Sequence, residues 1–206
     1  MGLAGVILAA GESTRMGRDK ALLPWPPSPS PNSVPGGTLL SAAIKALSDC
    51  CELVIVVAGK NEAVLQPVIY GFGAFLAQNP NPDLGQFSSL QIGLHEVLNQ
   101  GRDSAMVTLV DRPPPESTTL QTLLSAFTSR DHGVWSVVPE YQGKHGHPIL
   151  IAREMIEAFL KAPPTSVARE IEHANQQRIL YLPVNDPFVT ANVDTPEQYA
   201  SLQSQS

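Results

Sequence analysis

The stretch Leu3-Ala4-Gly5-Val6-Ile7-Leu8-Ala9-Ala10-Gly11-Glu12-Ser13-Thr14-Arg15-Met16-Gly17-Arg18-Asp19-Lys20 decides the fold. Its apolar opening, Leu3 to Ala10, is too short to cross a bilayer and lacks the basic leader of a secretory signal, so it reads as a buried first strand, with the apolar run over Leu3–Leu8. In an open α/β sheet, ligands bind beyond the carboxyl ends of strands, which is where the following loop must lie. The small residues Ala9, Ala10 and Gly11 let backbone approach a ligand closely and turn amides toward phosphate oxygens. Arg15 offers a planar, permanently charged fork suited to β- and γ-phosphates. Lys20 offers a compact charge for an α-phosphate. The loop has neither the G-x-x-x-x-G-K-[ST] order nor G-x-G-x-x-G. Taken alone, it is equally a strand-to-helix turn with a solvated Arg and Lys.

Outward from this stretch, short apolar runs recur at Leu53–Ala58, Ala74–Ala77, Met106–Val110 and Val134–Val138, each bounded by Gly, Pro, Asn or Asp. They predict buried strands. Helix-period segments lie between them at Leu39–Leu47, Ala63–Val68, Ser88–Leu98 and Thr118–Phe127. The alternation predicts an α/β protein: a three-layer α/β/α sandwich on a mostly parallel sheet. After Pro139, a polar turn (Tyr141–His147) and an apolar run (Ile149–Ala152) predict an antiparallel excursion. Helices at Arg153–Leu160 and Val167–Ala174, a strand at Ile179–Pro183 and a helix from Pro196 complete the chain. We expect one domain over 1–206. Within it, residues 24–37 carry Pro24, Pro26, Pro27, Pro29, Pro31 and Pro35, which excludes a regular helix or inner strand and predicts a surface insertion.

The bulk numbers exclude several classes. The 206 residues are 43% hydrophobic and 16% charged, as in a globular protein with a core of its own. A formal net charge of -6, with no Lys/Arg cluster, argues against nucleic acid as a partner. No segment reads as a membrane span. The two cysteines, Cys50 and Cys51, are adjacent and poorly placed to pair with each other, which fits a reducing cytoplasmic setting.

The pattern L-A-A-G-x-S-x-R-M-G-x-x-K, matched at every fixed position from Leu8 to Lys20, resembles the nucleotidyltransferase superfamily that includes the molybdenum cofactor cytidylyltransferases and guanylyltransferases. The resemblance spans nearly the whole chain outside the proline-rich insertion and implies a Rossmann-like sheet. It assigns nucleotide binding to Leu8, Ala9, Ala10, Gly11, Ser13, Arg15 and Lys20, and catalysis to Lys20, Arg15 and Asp111.

Asp111, at the end of an apolar strand in Asp111-Arg112-Pro113, could hold Mg²⁺ against triphosphate oxygens or simply open a proline turn. The family's D-x-P motif makes it the metal aspartate, although a small or apolar residue usually stands where this chain has Arg112. Asn192-Val193-Asp194-Thr195-Pro196-Glu197 is similar to the family's N/D-x-D/N-T-P-E motif. Thr195 and Pro196 make sense as a helix cap and first turn. Asn192 and Asp194 are further metal ligands, with Asp194 slightly preferred.

Asn79-Pro80-Asn81-Pro82-Asp83-Leu84-Gly85-Gln86-Phe87-Ser88-Ser89-Leu90 resembles the segment that faces the base in the cytidylyltransferase branch. Asn79, Gly85, Ser88 and Ser89 are therefore nucleotide contacts, and Ala10 with Ser88 to Leu90 favours CTP over GTP. Gly143 to Leu150 is similar to the family's G-x-x-G-H-P-x-L stretch, placing His147 on the acceptor side. The family's G-D-x-G-x-R loop is degraded at Pro163–Arg169, where Arg169 survives without the glycines or the aspartate. The resemblance thus implies Mg²⁺-dependent transfer of CMP from CTP to molybdopterin with release of pyrophosphate. Another phosphorylated acceptor, or a nucleotide-binding protein without turnover, remain the alternatives.

Overall fold

The computed structural model describes residues 2–11, 17–27 and 37–202. In chain order the elements are β1 (Leu3–Leu8), α1 (Leu39–Ser48), β2 (Leu53–Ala58), α2 (Glu62–Gly71), β3 (Phe75–Gln78), α3 (Gln86–Asn99), β4 (Ser104–Leu109), α4 (Ser117–Thr128), β5 (Ser136–Tyr141), β6 (Lys144–His145), β7 (Ile149–Ala152), α5 (Arg153–Lys161), α6 (Ala168–Ala174), β8 (Ile179–Pro183) and α7 (Pro196–Ser201). One sheet takes all eight strands in the order β3-β2-β1-β4-β7-β5-β6, with β8 on β5. The strands pair in parallel except β7, which runs antiparallel between β4 and β5, and the short β6, which turns back on β5. The expected antiparallel excursion is therefore β6 and β7, which pair antiparallel with β5 on its two sides.

Period-two alternation sorts the sheet's side chains onto two faces. Leu3, Ile7, Val54, Val56 and Met106 meet α1, α2 and α4 on one side, through Leu40, Ile44, Leu65, Leu123 and Phe127. Ala4, Val6, Val57, Ala105 and Ile151 meet α3 and α5 on the other, through Leu94, Val97, Met155 and Phe159. These two cores make the three layers. Glycine permits the closest approach: a Cβ on Gly93 of α3 would lie 2.7 Å from Val6 Cγ1 and 3.0 Å from Val57 Cγ2.

A third, small cluster of Leu23, Leu39, Val193 and Leu202 ties the segment after the first loop to α7. The base of the proline-rich segment is docked there. Trp25 N donates to Gly37 O at 3.0 Å, Leu39 N to Leu23 O at 2.9 Å, and the Tyr199 hydroxyl to Pro24 O at 2.5 Å. Pro24 and Trp25 thus anchor the base of the expected surface insertion, while 28–36 lie outside the described residues.

The strand order reverses between β1 and β4, since β2 and β3 add outward on one side and β7 and β5 on the other. A sheet wound this way opens a crevice beyond the carboxyl ends of the two strands.

Candidate active site

Lys20 opens a single 3-10 turn, Lys20–Leu22, at that crevice. Asp19 caps the turn by accepting from Ala21 N at 2.9 Å, and its other oxygen accepts from Asn61 Nδ2 at 2.7 Å. Asn61 also donates to Ala9 O at 2.9 Å and accepts from Gly59 N at 3.0 Å, so one amide joins the loops after β1 and β2. With its backbone held this way, Lys20 sends its ammonium inward, and the residue is only 8% exposed.

Two carboxylates from distant parts of the chain meet it there. Lys20 Nζ lies 2.7 Å from Asp194 Oδ1 and 3.3 Å from Asp111 Oδ2. Asp111 follows β4, and its carbonyl accepts from Val193 N at 2.9 Å, which pins the C-terminal loop to the strand end. Asp194 is fixed from the other side by the capping box of α7. Gln198 accepts from the backbone N–H of Asp194 at 2.7 Å and of Thr195 at 3.1 Å, while Thr195 caps the helix. Asn192 Nδ2 donates to Asp194 Oδ2.

Two oxygens, Asp111 Oδ1 and Asn192 Oδ1, are buried with no hydrogen-bond partner. Leaving such atoms unsatisfied costs about 1–3 kcal/mol each, and hard oxygens of this kind suit a divalent cation such as Mg²⁺. The residues therefore fit a metal held by Asp111, Asn192 and Asp194. Among the described residues no three His, Cys, Asp or Glu side chains are placed to hold a metal ion on their own, so the amide oxygen is needed to complete such a set.

A cleft of about 300 Å³ rises from this point, lined by Leu8, Ala10, Gly11, Lys20, Gly85, Gln86, Ser89 and Asp111. A larger cleft of about 590 Å³ shares Leu8, Gly85, Gln86 and Leu109 with it and runs on past Arg112 and His147 to Arg169. The structure thus brings Leu8, Ala10, Gly11, Lys20, Gly85, Ser89 and Asp111 to one cleft and His147 and Arg169 to its continuation.

Other expected residues stand differently. Ala9 is buried and its N–H donates to Val57 O at 2.8 Å, so its amide serves the sheet and is not turned toward a phosphate. Asn79 and Ser88 form a buried strut behind the cleft: Asn79 Nδ2 donates to Ser88 Oγ and Ser89 Oγ at 2.9 Å each, and Ser88 Oγ donates to Gly85 O at 2.8 Å. Ser13 and Arg15 lie outside the described residues. The sequence reading passed over Asp19, Asn61 and Gln86. Only the polar Gly59-Lys60-Asn61 turn directly after β2 signalled Asn61.

Burial together with the adjacent Arg112 guanidinium pushes the His147 imidazole down to about 3, so its ring is neutral at physiological pH. Burial also lowers Arg112 somewhat, against the opposing pull of Asp111 and Asp194.

A doubly wound α/β sheet with a lysine and two aspartates gathered at its switch point defines a nucleotide-binding enzyme of the phosphate-transfer kind. Comparison with known proteins narrows this. The family model described as the MobA-like NTP transferase domain matches residues 5–179, and the chain belongs to that family of nucleotidyltransferases. It is 25% identical to the molybdenum cofactor cytidylyltransferase of Escherichia coli, over 96% of this chain and 97% of the other. It is 29% identical to a probable molybdenum cofactor guanylyltransferase of Mycobacterium marinum, over 94% of this chain and 89% of the other. The fold superposes on the crystal structure of a Mycobacterium tuberculosis protein in complex with manganese with TM-score 0.78, at 21% identity over 100% of both chains.

Proposed function

We propose that this nucleotidyltransferase transfers CMP from CTP to the phosphate of molybdopterin and releases pyrophosphate. The observation that carries the reading is the convergence of Lys20, Asp111 and Asp194 on one point at the foot of the 300 Å³ cleft. An acceptor phosphate oxygen attacks the α-phosphorus, a new P–O bond forms, and the bond to the β-phosphate breaks with its electrons leaving on pyrophosphate. Such a transfer asks the protein for position and charge rather than covalent chemistry.

Lys20, held between Asp111 and Asp194, would supply a fixed cation to the α-phosphate. Asp111, Asp194 and Asn192 would hold Mg²⁺, which would supply charge neutralisation to the triphosphate. The manganese in the M. tuberculosis structure supports a divalent ion in this fold. Gly85 and Ser89 face the base and ribose, with Asn79 and Ser88 shaping the loop behind them. Arg15 serves the outer phosphates.

The E. coli relative supports cytidylyl transfer and molybdopterin, and the Mycobacterium marinum relative keeps GTP as the competing nucleotide. A second acceptor class, another phosphorylated alcohol or sugar, is favoured by one observation. The Pro163–Arg169 segment that lines the larger cleft through Thr165, Ser166, Val167 and Arg169 departs from the family's loop. The test is pyrophosphate release on mixing the protein with Mg²⁺, CTP or GTP, and either molybdopterin or a panel of phosphomonoesters. Release with CTP and molybdopterin is expected. Nucleotide binding without release for any acceptor removes the reading in favour of a protein that binds and does not turn over.

A further inference from the structure

Arg112 lines the larger cleft together with His147 and Arg169, and directly follows Asp111, which lines the smaller one. Its guanidinium is under-used by the protein. Nη1 reaches the carbonyls of Val189 and Ala191 only at 3.4 Å, and Nε is buried with no partner. The neighbouring His147 also keeps a buried, unpartnered ring nitrogen, Nδ1. An arginine half-withdrawn from water with donors unmatched is costly unless something anionic completes it. Asp111 and Asp194 contribute negative charge nearby, but they are the pair that faces Lys20.

Resting on the transferase reading above, we propose that Arg112 binds the attacking phosphate of the acceptor, so that the larger cleft selects phosphate monoesters over hydroxyl acceptors. The chemistry fits the group. A guanidinium fork matches two phosphate oxygens and favours the dianion. A dianionic phosphate attacks the α-phosphorus without giving up a proton, so no base is required at this end of the cleft. The body of the acceptor lies between Leu84 and Val167, whose side chains are 45% and 56% exposed at the two lips of the same cleft.

The experiment uses the full-length protein with Mg²⁺ and CTP, and phenyl phosphate as the probe. Arg112→Met should weaken phenyl phosphate binding by about 10- to 100-fold, the loss of a charge-assisted hydrogen-bonded pair. It should raise the KM for molybdopterin by a similar factor and leave the KM for CTP within about twofold of wild type. Arg112→Lys, which keeps the charge and loses the fork, should fall between the two. Phenyl sulfate, a monoanion of the same shape, should bind the wild type more weakly than phenyl phosphate.

Because the Met variant could disturb Val189 and Ala191, the Nε–H resonance of Arg112 in the wild type gives an independent reading, and phenyl phosphate should shift it. An unshifted resonance, or an Arg112→Met protein that binds phenyl phosphate like wild type, overturns the assignment. A parallel loss of CTP affinity overturns it too, by giving Arg112 to the nucleotide. If wild type turns over normally while these arms fail, only this inference falls. If phenyl phosphate shifts Arg112 but no acceptor yields pyrophosphate, the transferase reading falls instead.

Discussion

Lys20 holds two carboxylates together, 2.7 and 3.3 Å from its ammonium, in a site that is partly shielded from water. Replacing it by Met leaves Asp111 and Asp194 facing each other. Removing one partner of a buried charge set costs about 3–5 kcal/mol, and the carboxylates' 24% exposure reduces that toward about 1–3 kcal/mol. Lys20→Met should therefore melt lower than wild type in EDTA, yet bind Mg²⁺ more tightly, because the ammonium no longer competes for the oxygens. Melting curves with EDTA and with Mg²⁺ check this, and Mg²⁺ that rescues neither variant nor wild type would detach the metal from these residues. Turnover should fall by roughly 10²–10³-fold, the scale of one lost electrostatic contact in a transition state. His147 supports a second prediction at this scale. Its folded pKa of about 3 lies below its ordinary value of 6.5, so the unfolded chain binds more protons between the two. Stability is then fully present above pH 6.5 and falls as the pH drops toward 3, by up to about 1.4 kcal/mol per unit. His147→Asn should flatten the difference in urea midpoint between pH 7 and pH 5. At this scale Lys20, Asp111 and Asp194 stood out through the family motifs they occupy, and the structure brings the three together. The bracing of Lys20 by Asp19 and Asn61 was not legible, since a side-chain amide that spans two loops leaves no periodic trace.

The elements followed the sequence where apolar runs begin and end on turn residues. β1, β2, β7 and β8 have the expected bounds; α1 to α5 extend past theirs by one to three residues, largely because polar end residues carry no hydrophobic period, while α6 begins at Ala168, one residue later than expected. β4 begins at Ser104, two residues before Met106, because Ser104 is buried with its hydroxyl donating to Gly2 O at 3.1 Å, and a satisfied serine belongs in a strand. β5 runs from Ser136 to Tyr141 through Pro139, which read as a terminator but sits opposite Leu182 of β8 while its carbonyl accepts from Gly146 N at 2.8 Å. β6 has only two residues and gives no alternation to read. The consequence with a functional readout lies on α3. Gly93 lets the helix settle onto Val6 and Val57, and the same helix carries Gln86 and Ser89 at the cleft. Gly93→Val should cost about 1–3 kcal/mol through overpacking. Lifting α3 should also raise the KM for the nucleotide more than it lowers kcat. An unchanged urea midpoint would show that the helix can shift without loss.

At the scale of the molecule, the site is a closure of the chain on itself: Lys20 from its first tenth, Asp111 from its middle and Asp194 from its last residues meet at one sheet crevice. No single element holds them, and the small cluster of Leu23, Leu39, Val193 and Leu202 packs the two ends together beside it. No helix among the described residues is long and apolar enough to cross a membrane. The chain's formal charge is -6 and two carboxylates face the single ammonium of Lys20 at the crevice, so an incoming triphosphate needs a divalent cation to offset the repulsion. A nucleotide that bridges Lys20, the loop after β1 and the aspartates must then stabilise the fold as a whole, by mass action on the native state. At 100 times its dissociation constant a ligand contributes about 2.7 kcal/mol. For a chain of this size each kcal/mol shifts the melting temperature by about 2–4 °C. CTP with Mg²⁺ should therefore raise the midpoint by roughly 5–11 °C, GTP by less, and CTP with EDTA by much less, because the repulsion among its phosphates and the two carboxylates is then unrelieved. Asp111→Ala should erase the difference between Mg²⁺ and EDTA while keeping the untreated fold. Equal shifts for CTP and GTP would leave the fold and family untouched and would remove the cytidine preference drawn from Ala10 and Ser88 to Leu90.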